Sequence, residues 1–261
     1  MVLLVSRRRL LIAGLIATTV ITAVVIAWPW ARIYTGTAPP DQFYRPLSPP
    51  VEMPARQVLG VAHNAGNHTA TTAAALRYGA DVIEIDVVEA RGRLAAGRAY
   101  GWPWLAELVF QGETLADAWR HAAAAKIVQL DLQQTDRSLL DALVRFLDHR
   151  AGRPVVVSTR DASAIVYLRP RLSPAIRLLF SVPFPHAVAK VRHDRALIHA
   201  VDGISVFQGL VGTDLVRWAH QRKLLVLAWT VNDARRLDEL LRLGVDGITT
   251  DNLAILQALA G

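Results

Sequence analysis

Val58-Leu59-Gly60-Val61-Ala62-His63-Asn64 and Ala80-Asp81-Val82-Ile83-Glu84-Ile85-Asp86-Val87 are two apolar, strand-like runs with polar side chains toward their ends, separated by a helix-like segment over 70–79. Residues two apart on a strand share a face, so Glu84 and Asp86 project together. Two neighbouring carboxylates in an apolar strand repel and lose hydration, which a cation relieves. Their oxygens suit a hard divalent ion. The plainer alternative is an exposed strand face.

The same unit recurs along the chain. Further strand-like runs fall at 126–132, 153–160, 176–182, 203–209, 224–231 and 246–250. Helix-like segments fall at 113–124, 135–150, 161–171, 186–199, 211–221, 232–243 and 252–260. Leu237, Leu240, Leu241 and Leu243 show the helical apolar period. Eight strands alternating with eight helices predict an α/β fold, a (β/α)8 TIM barrel, with a doubly wound open sheet as the alternative. In such a barrel the site lies at the carboxyl ends of the strands. Those ends carry His63, Asn64, Glu84, Asp86, Asp131, Gln133, Ser158, Arg160, Ser181, Gln208, Trp229, Asn232 and Asp251.

Ahead of this domain the chain changes character. Residues 1–9 are a basic segment ending in Arg7-Arg8-Arg9, residues 10–30 carry no charge and close on Trp28-Pro29-Trp30, and 31–56 is rich in proline. A 21-residue apolar run is long enough to span a bilayer as a helix. Basic residues before it and tryptophans after it predict a single-pass anchor, N-terminus in, with domain 57–261 outside the cytoplasm. A cleaved signal peptide is the competing reading. The proline density reads as an extended tether. The net charge of +7 and pI near 10.3 invite a nucleic-acid reading. Five arginines precede residue 50, however, and without them and Asp41 the remainder is only +3. No basic stripe with interleaved aromatics is visible, so no nucleic-acid partner is expected. The absence of cysteine excludes disulfides, thiol nucleophiles and cysteine-bound metal.

Three stretches carry a resemblance. Val61-Ala62-His63-Asn64-Ala65-Gly66 is the first, and Gly79-Ala80-Asp81-Val82-Ile83-Glu84-Ile85-Asp86-Val87 the second. The third joins Ala228-Trp229-Thr230-Val231-Asn232 to Leu243-Gly244-Val245-Asp246-Gly247-Ile248-Thr249-Thr250-Asp251. In this order the chain resembles the glycerophosphodiester phosphodiesterases over about 57–261. The resemblance implies a (β/α)8 enzyme whose two histidines exchange protons with a glycerol hydroxyl and a leaving alcohol. It also implies a Ca²⁺ or Mg²⁺ site of Glu84, Asp86 and Asp131, the last standing where the family has Glu. An all-oxygen set favours such a hard ion over zinc or copper.

Four positions depart from the family pattern. Asn64 replaces an arginine, Arg98 replaces the second histidine, Asp131 replaces a glutamate and Gln133 replaces a lysine. A bidentate phosphate clamp and a proton carrier are thereby missing. The expected protein is a metal-dependent phosphodiester hydrolase of glycerophosphodiesters or lipid head-group diesters. His63 is its base, Arg98 a phosphate contact, and Asn64, Gln133 and Trp229 line the substrate; the loss of one histidine makes it slow. The alternative is a barrel that binds a phosphodiester or head group without turnover, and a third reading is a lyase releasing a cyclic phosphate. His68 and Tyr100 are candidate substitute acids, and Asn232 is expected to cap helix 232–243. His121, His149, His186, His193, His199 and His220 are expected on the surface. Trp102-Pro103-Trp104 reads as a lipid contact or a lid.

Overall fold

The computed structural model describes residues 43–55, 57–98, 112–150 and 152–260. Its strands are β1 (Leu59–Ala62), β2 (Val82–Ala90), β3 (Arg93–Ala96), β4 (Ile127–Leu132), β5 (Val155–Thr159), β6 (Arg177–Val182), β7 (Gly203–Phe207), β8 (Leu225–Trp229) and β9 (Gly247–Thr250). All pair in parallel with their neighbours except β3. Pairing of β1 with both β9 and β2 closes the eight parallel strands into the expected TIM barrel. The predicted span 10–30 lies outside the described residues, among which no helix is long and apolar enough to cross a membrane.

The period of two along each strand separates two environments. Val61, Val82, Leu179 and Leu227, with Leu59, Ile127 and Val156, form one small apolar cluster. These are the inward-facing positions, and they make the barrel's floor. Gly203 belongs to the same layer; a Cβ there would meet Leu225 O at 2.6 Å and Leu179 Cδ2 at 2.7 Å. The alternate residues, such as Ile83, Ile85, Val128, Leu130, Val157 and Phe180, join the main core with the helices. Two residues further along the inward register, the floor gives way to polar side chains: His63 on β1's exit, Glu84 and Asp86 on β2, Gln129 and Asp131 on β4, Ser158 on β5.

Nine α-helices are described: α1 (Thr69–Arg77), α2 (Leu115–His121), α3 (Arg137–Asp148), α4 (Ala162–Leu168), α5 (Pro185–His193), α6 (Arg195–Ala200), α7 (Thr213–His220), α8 (Ala234–Leu243) and α9 (Leu253–Leu259). α3 buries Leu139, Leu140, Leu143 and Leu147 on one face and is capped by Asp136, which accepts from Leu139 N. The single helix expected over 186–199 is two helices, because Asp194 leaves the helical conformation and caps α6 through Leu197 N.

Two further features depart from the sequence reading. Residues 43–55, part of the expected tether, pack on the domain: Phe43, Leu47, Val51 and Met53 lie against the core. There Arg45 N donates to Asn252 Oδ1 and Asn252 Nδ2 donates to Arg45 O, both at 2.9 Å. The second feature is β3, which pairs antiparallel with β2 through a two-residue turn at Arg91 (φ 52°) and Gly92 (φ 68°). Positive φ at both central residues is the type I′ geometry that matches strand twist.

Candidate active site

The hairpin turns the chain back along β2, where Gly97 (φ 132°) donates its N–H to Asp86 O at 2.9 Å. Arg98 is thereby set against Asp86: Nε donates to Oδ2 at 2.8 Å and Nη2 lies 3.4 Å from Oδ1. Nη2 also donates to Asn64 Oδ1 at 3.1 Å. Asn64 sits in the left-handed region (φ 54°), which asparagine tolerates better than most residues, and its N–H points at Glu84 Oε2 at 3.4 Å.

Asp86 is fully buried and takes two more hydrogen bonds, from Asn67 Nδ2 and Gln133 Nε2, each 2.7 Å. The register places Asp131 of β4 directly beside it. Gln133 Nε2 also donates to Asp131 Oδ2 at 2.5 Å, and Ser158 Oγ donates to Asp131 Oδ1 at 2.6 Å. Gln129, buried beside Glu84, donates Nε2 to Glu84 Oε1 and to Ser158 Oγ, each at 3.2 Å. All four departures from the family pattern thus lie in one hydrogen-bonded chain, Asn64–Arg98–Asp86–Gln133–Asp131.

His63 Nδ1 lies 2.7 Å from Asp251 Oδ1, and Asn232 Nδ2 donates to Asp251 Oδ2 at 2.8 Å. Asn232 is itself fixed, because its Oδ1 accepts from Asp251 N and Thr250 Oγ1. The expected capping role of Asn232 is corrected here: Asp233 caps α8 through Arg236 N, freeing Asn232 for the site. Burial alone would lower the His63 pKa. The hydrogen bond to Asp251 and the charges of Glu84 and Asp251 outweigh it and push the value up to about 9. Asp251 moves down in return, its burial outweighed by the bonds from His63 and Asn232. Glu84 is pushed up to about 8, first by burial and then by the charges of Asp131 and Asp86. Asp131 rises to about 6 through burial and the Asp86 charge, against the pull of Ser158.

The structure therefore brings His63, Asn64, Glu84, Asp86, Arg98, Asp131 and Gln133 together with Asp251, Asn232 and Ser158 of the strand-end positions, and adds Gln129. Trp229 lies edge-on to the exposed Phe207, ring centroids 5.8 Å apart, on the neighbouring strand end. His68 is the N-cap residue of α1. His121 pairs with Glu113 and His220 with Asp246. Tyr100 and Trp102-Pro103-Trp104 lie outside the described residues.

The oxygen donors implied for Ca²⁺ or Mg²⁺ do not fit an ion as arranged. Both oxygens of Asp86 and of Asp131 face N–H or O–H donors of the protein. Among the described residues no group of three or more His, Asp or Glu is placed to hold a metal.

Barrel and site together define a class: a parallel (β/α)8 barrel carrying an acid-rich layer and a His–Asp pair at the carboxyl ends of its strands. The model of the glycerophosphoryl diester phosphodiesterase family matches residues 104–255, and the chain belongs to that family, one of phosphoric diester hydrolases. That span holds Asp131, Gln133, Trp229, Asn232 and Asp251; His63, Asn64, Glu84, Asp86 and Arg98 precede it. A glycerophosphodiester phosphodiesterase of Arabidopsis thaliana is 38% identical over 56 residues, 22% of this chain and 17% of that protein. The matched stretch thus spans about a sixth of that relative's length. Among solved structures, a putative glycerophosphoryl diester phosphodiesterase of Silicibacter pomeroyi superposes with TM-score 0.65 at 17% identity, covering 80% of this chain and 94% of that one. A phosphodiesterase of Oleispira antarctica, in complex with its product sn-glycerol-3-phosphate, gives 0.62 at 19%, covering 79% and 96%. At these identities the structural likeness speaks for the fold.

Proposed function

We propose that this protein cleaves glycerophosphodiesters, or related lipid head-group diesters, outside the cytoplasm, with His63 as the proton-transfer group. The observation that carries the reading is the His63–Asp251 pair at 2.7 Å beside the acid layer. Asp251 fixes Nδ1, which leaves Nε2 to exchange a proton with the ligand. In the forward step Nε2 takes the proton of a glycerol hydroxyl. That oxygen bonds to phosphorus, the bond to the head-group oxygen breaks, and the alcohol departs with a proton from solvent, leaving a cyclic phosphate. Water then attacks phosphorus and opens the ring to glycerol phosphate, the ring-opened glycerol oxygen taking back the proton held on Nε2. Arg98, partly exposed and bonded to Asp86 in the same layer, supports recognition of the phosphoryl oxygens. Phe207 and Trp229 supply an apolar wall for the glycerol or head group.

The charge on His63 explains the slow turnover expected of it. With a pKa of about 9, only about one molecule in a hundred carries the neutral base at pH 7. No second histidine stands at position 98 to protonate the leaving group. The extracytoplasmic placement rests on Arg7-Arg8-Arg9, the uncharged run and Trp28 and Trp30.

The test incubates the full chain with glycerophosphocholine, glycerophosphoethanolamine and glycerophosphoglycerol, with Ca²⁺, Mg²⁺ or chelator, and follows glycerol phosphate and cyclic phosphate by phosphorus NMR. Turnover that rises toward pH 9 and vanishes in His63→Ala is expected. Saturable binding without product would replace this reading with the non-catalytic one, which the closed hydrogen-bonding of Asp86 and Asp131 favours. Cyclic phosphate that accumulates unhydrolysed would identify a lyase.

A further inference from the structure

We propose that Arg98 is the resident cation of the acid layer, so that this site is neutralised by a guanidinium of its own chain and takes no divalent metal ion at rest. Hairpin β2–β3 exists at the place where it returns Arg98 to Asp86, twelve residues upstream, and the Gly97–Asp86 backbone bond fixes that return. The guanidinium then meets both oxygens of Asp86 as a fork, the geometry that distinguishes Arg from a point-charged Lys. Asn67 and Gln133 complete Asp86, and Ser158 with Gln133 completes Asp131. A Ca²⁺ ion needs six to eight oxygen ligands at about 2.3–2.6 Å with lone pairs turned toward it. Here the protein's own donors hold those lone pairs.

The neighbours are consistent with an arginine at 98. An arginine at 64 would bring a second guanidinium to the one that now donates to Asn64 Oδ1. A lysine at 133 would put a second cation, an ammonium, where a neutral amide bridges Asp86 and Asp131 at 2.7 and 2.5 Å. Asn64, Arg98 and Gln133 are therefore one exchange: a cation stands in the layer at 98, while the residue it touches at 64 and the residue sharing Asp86 with it at 133 are neutral. Asp131, one methylene shorter than the family's glutamate, stays within reach of both Gln133 and Ser158.

This concerns the site of the proposed phosphodiesterase, but its readout is ion binding, so either idea can fail alone. The full chain, freed of metal by chelator, is titrated with CaCl₂ and MgCl₂ by calorimetry and melted with and without each ion. Wild type is expected to show no saturable heat up to about 1 mM, the weak end of protein calcium sites, and a melting temperature indifferent to chelator. Arg98→Gln removes the resident positive charge and leaves Asp86 with the neutral donors Asn67 and Gln133 alone. It is expected to gain Ca²⁺ binding at least about tenfold tighter than wild type, about 1.4 kcal/mol, with a melting temperature that Ca²⁺ raises. Arg98→Lys keeps the charge and is expected to remain indifferent. Saturable binding by wild type that Glu84→Gln abolishes would overturn the proposal, as would Arg98→Gln that folds and binds no better than wild type. If Arg98→Gln does not fold, the wild-type and Arg98→Lys titrations decide: saturable binding by either, lost with Glu84→Gln, sinks it.

Discussion

Replacing Asp251 by Asn tests the proton logic of the site through one atom. Asn232 Nδ2 donates to Asp251 Oδ2, and Asn232 cannot turn over because its own Oδ1 holds Asp251 N at 2.9 Å and Thr250 Oγ1 at 3.1 Å. In Asp251→Asn the new amide must turn its oxygen to Asn232, which leaves its NH₂ facing His63 Nδ1. A neutral imidazole answers by moving its proton to Nε2, and an imidazolium meets two opposed donors. Loss of an opposite charge in contact is worth about 1–3 pKa units, or roughly 1.4–4 kcal/mol. His63 should therefore fall from about 9 by that much. The neutral fraction at pH 7 rises, yet it is the tautomer with no lone pair on Nε2. Activity is expected to drop even where more imidazole is neutral. The assay is a pH titration of the His63 ring by carbon and nitrogen NMR, assigned with His63→Gln. A pKa within about half a unit of 9, too small a change for a lost contact charge, or a neutral ring protonated at Nδ1, would refute the reasoning.

Three other perturbations follow from the fold and its charges. Glu84 and His63 both bind protons more tightly folded than unfolded, so their contributions are full at low pH and are lost as pH rises, from about 4.5 through 8 for Glu84 and from 6.5 through 9 for His63. Stability should fall across that range, and Glu84→Gln should flatten the lower part of the fall in urea melts at several pH values. Leu143→Ala on α3 removes a fully buried side chain and should lose about 2–5 kcal/mol, read from denaturant midpoints. Arg91→Asn makes the turn Asn-Gly at a position with φ 52° and should stabilise by roughly 1 kcal/mol; an unchanged or lower midpoint would count against the type I′ assignment.

The barrel was legible because its strands alternate faithfully: Val82, Glu84 and Asp86 inward, Ile83 and Ile85 outward, with the same pattern on β4 and β5. Hairpin strand β3 was not, since Arg93-Leu94-Ala95-Ala96 is short and lacks β-branched residues. Its one signal was the Arg91-Gly92 pair. The positions of the site residues were readable from strand ends, but their partners were not. His63 and Asp251 stand 188 residues apart, and only closure of β1 on β9 joins them. Asn232 looked like a cap because Asp233, the residue that caps, follows it directly. Gln129 gives no signal in the sequence, because an amide within an apolar strand carries no charge and no motif spacing.

Because the residues of the acid layer share their hydrogen bonds, the site has a preferred order of redesign. Restoring a lysine at 133 first would remove the amide that spans two carboxylates and set it beside Arg98. Restoring an arginine at 64 first would crowd two guanidinium groups around one asparagine-sized space. Changing Arg98 to histidine first opens the fork on Asp86 and leaves room for the other two. An engineer converting positions 64, 98 and 133 toward the family pattern would therefore meet a barrier at two of these three starting points, and the passable one lies at the end of the β2–β3 hairpin.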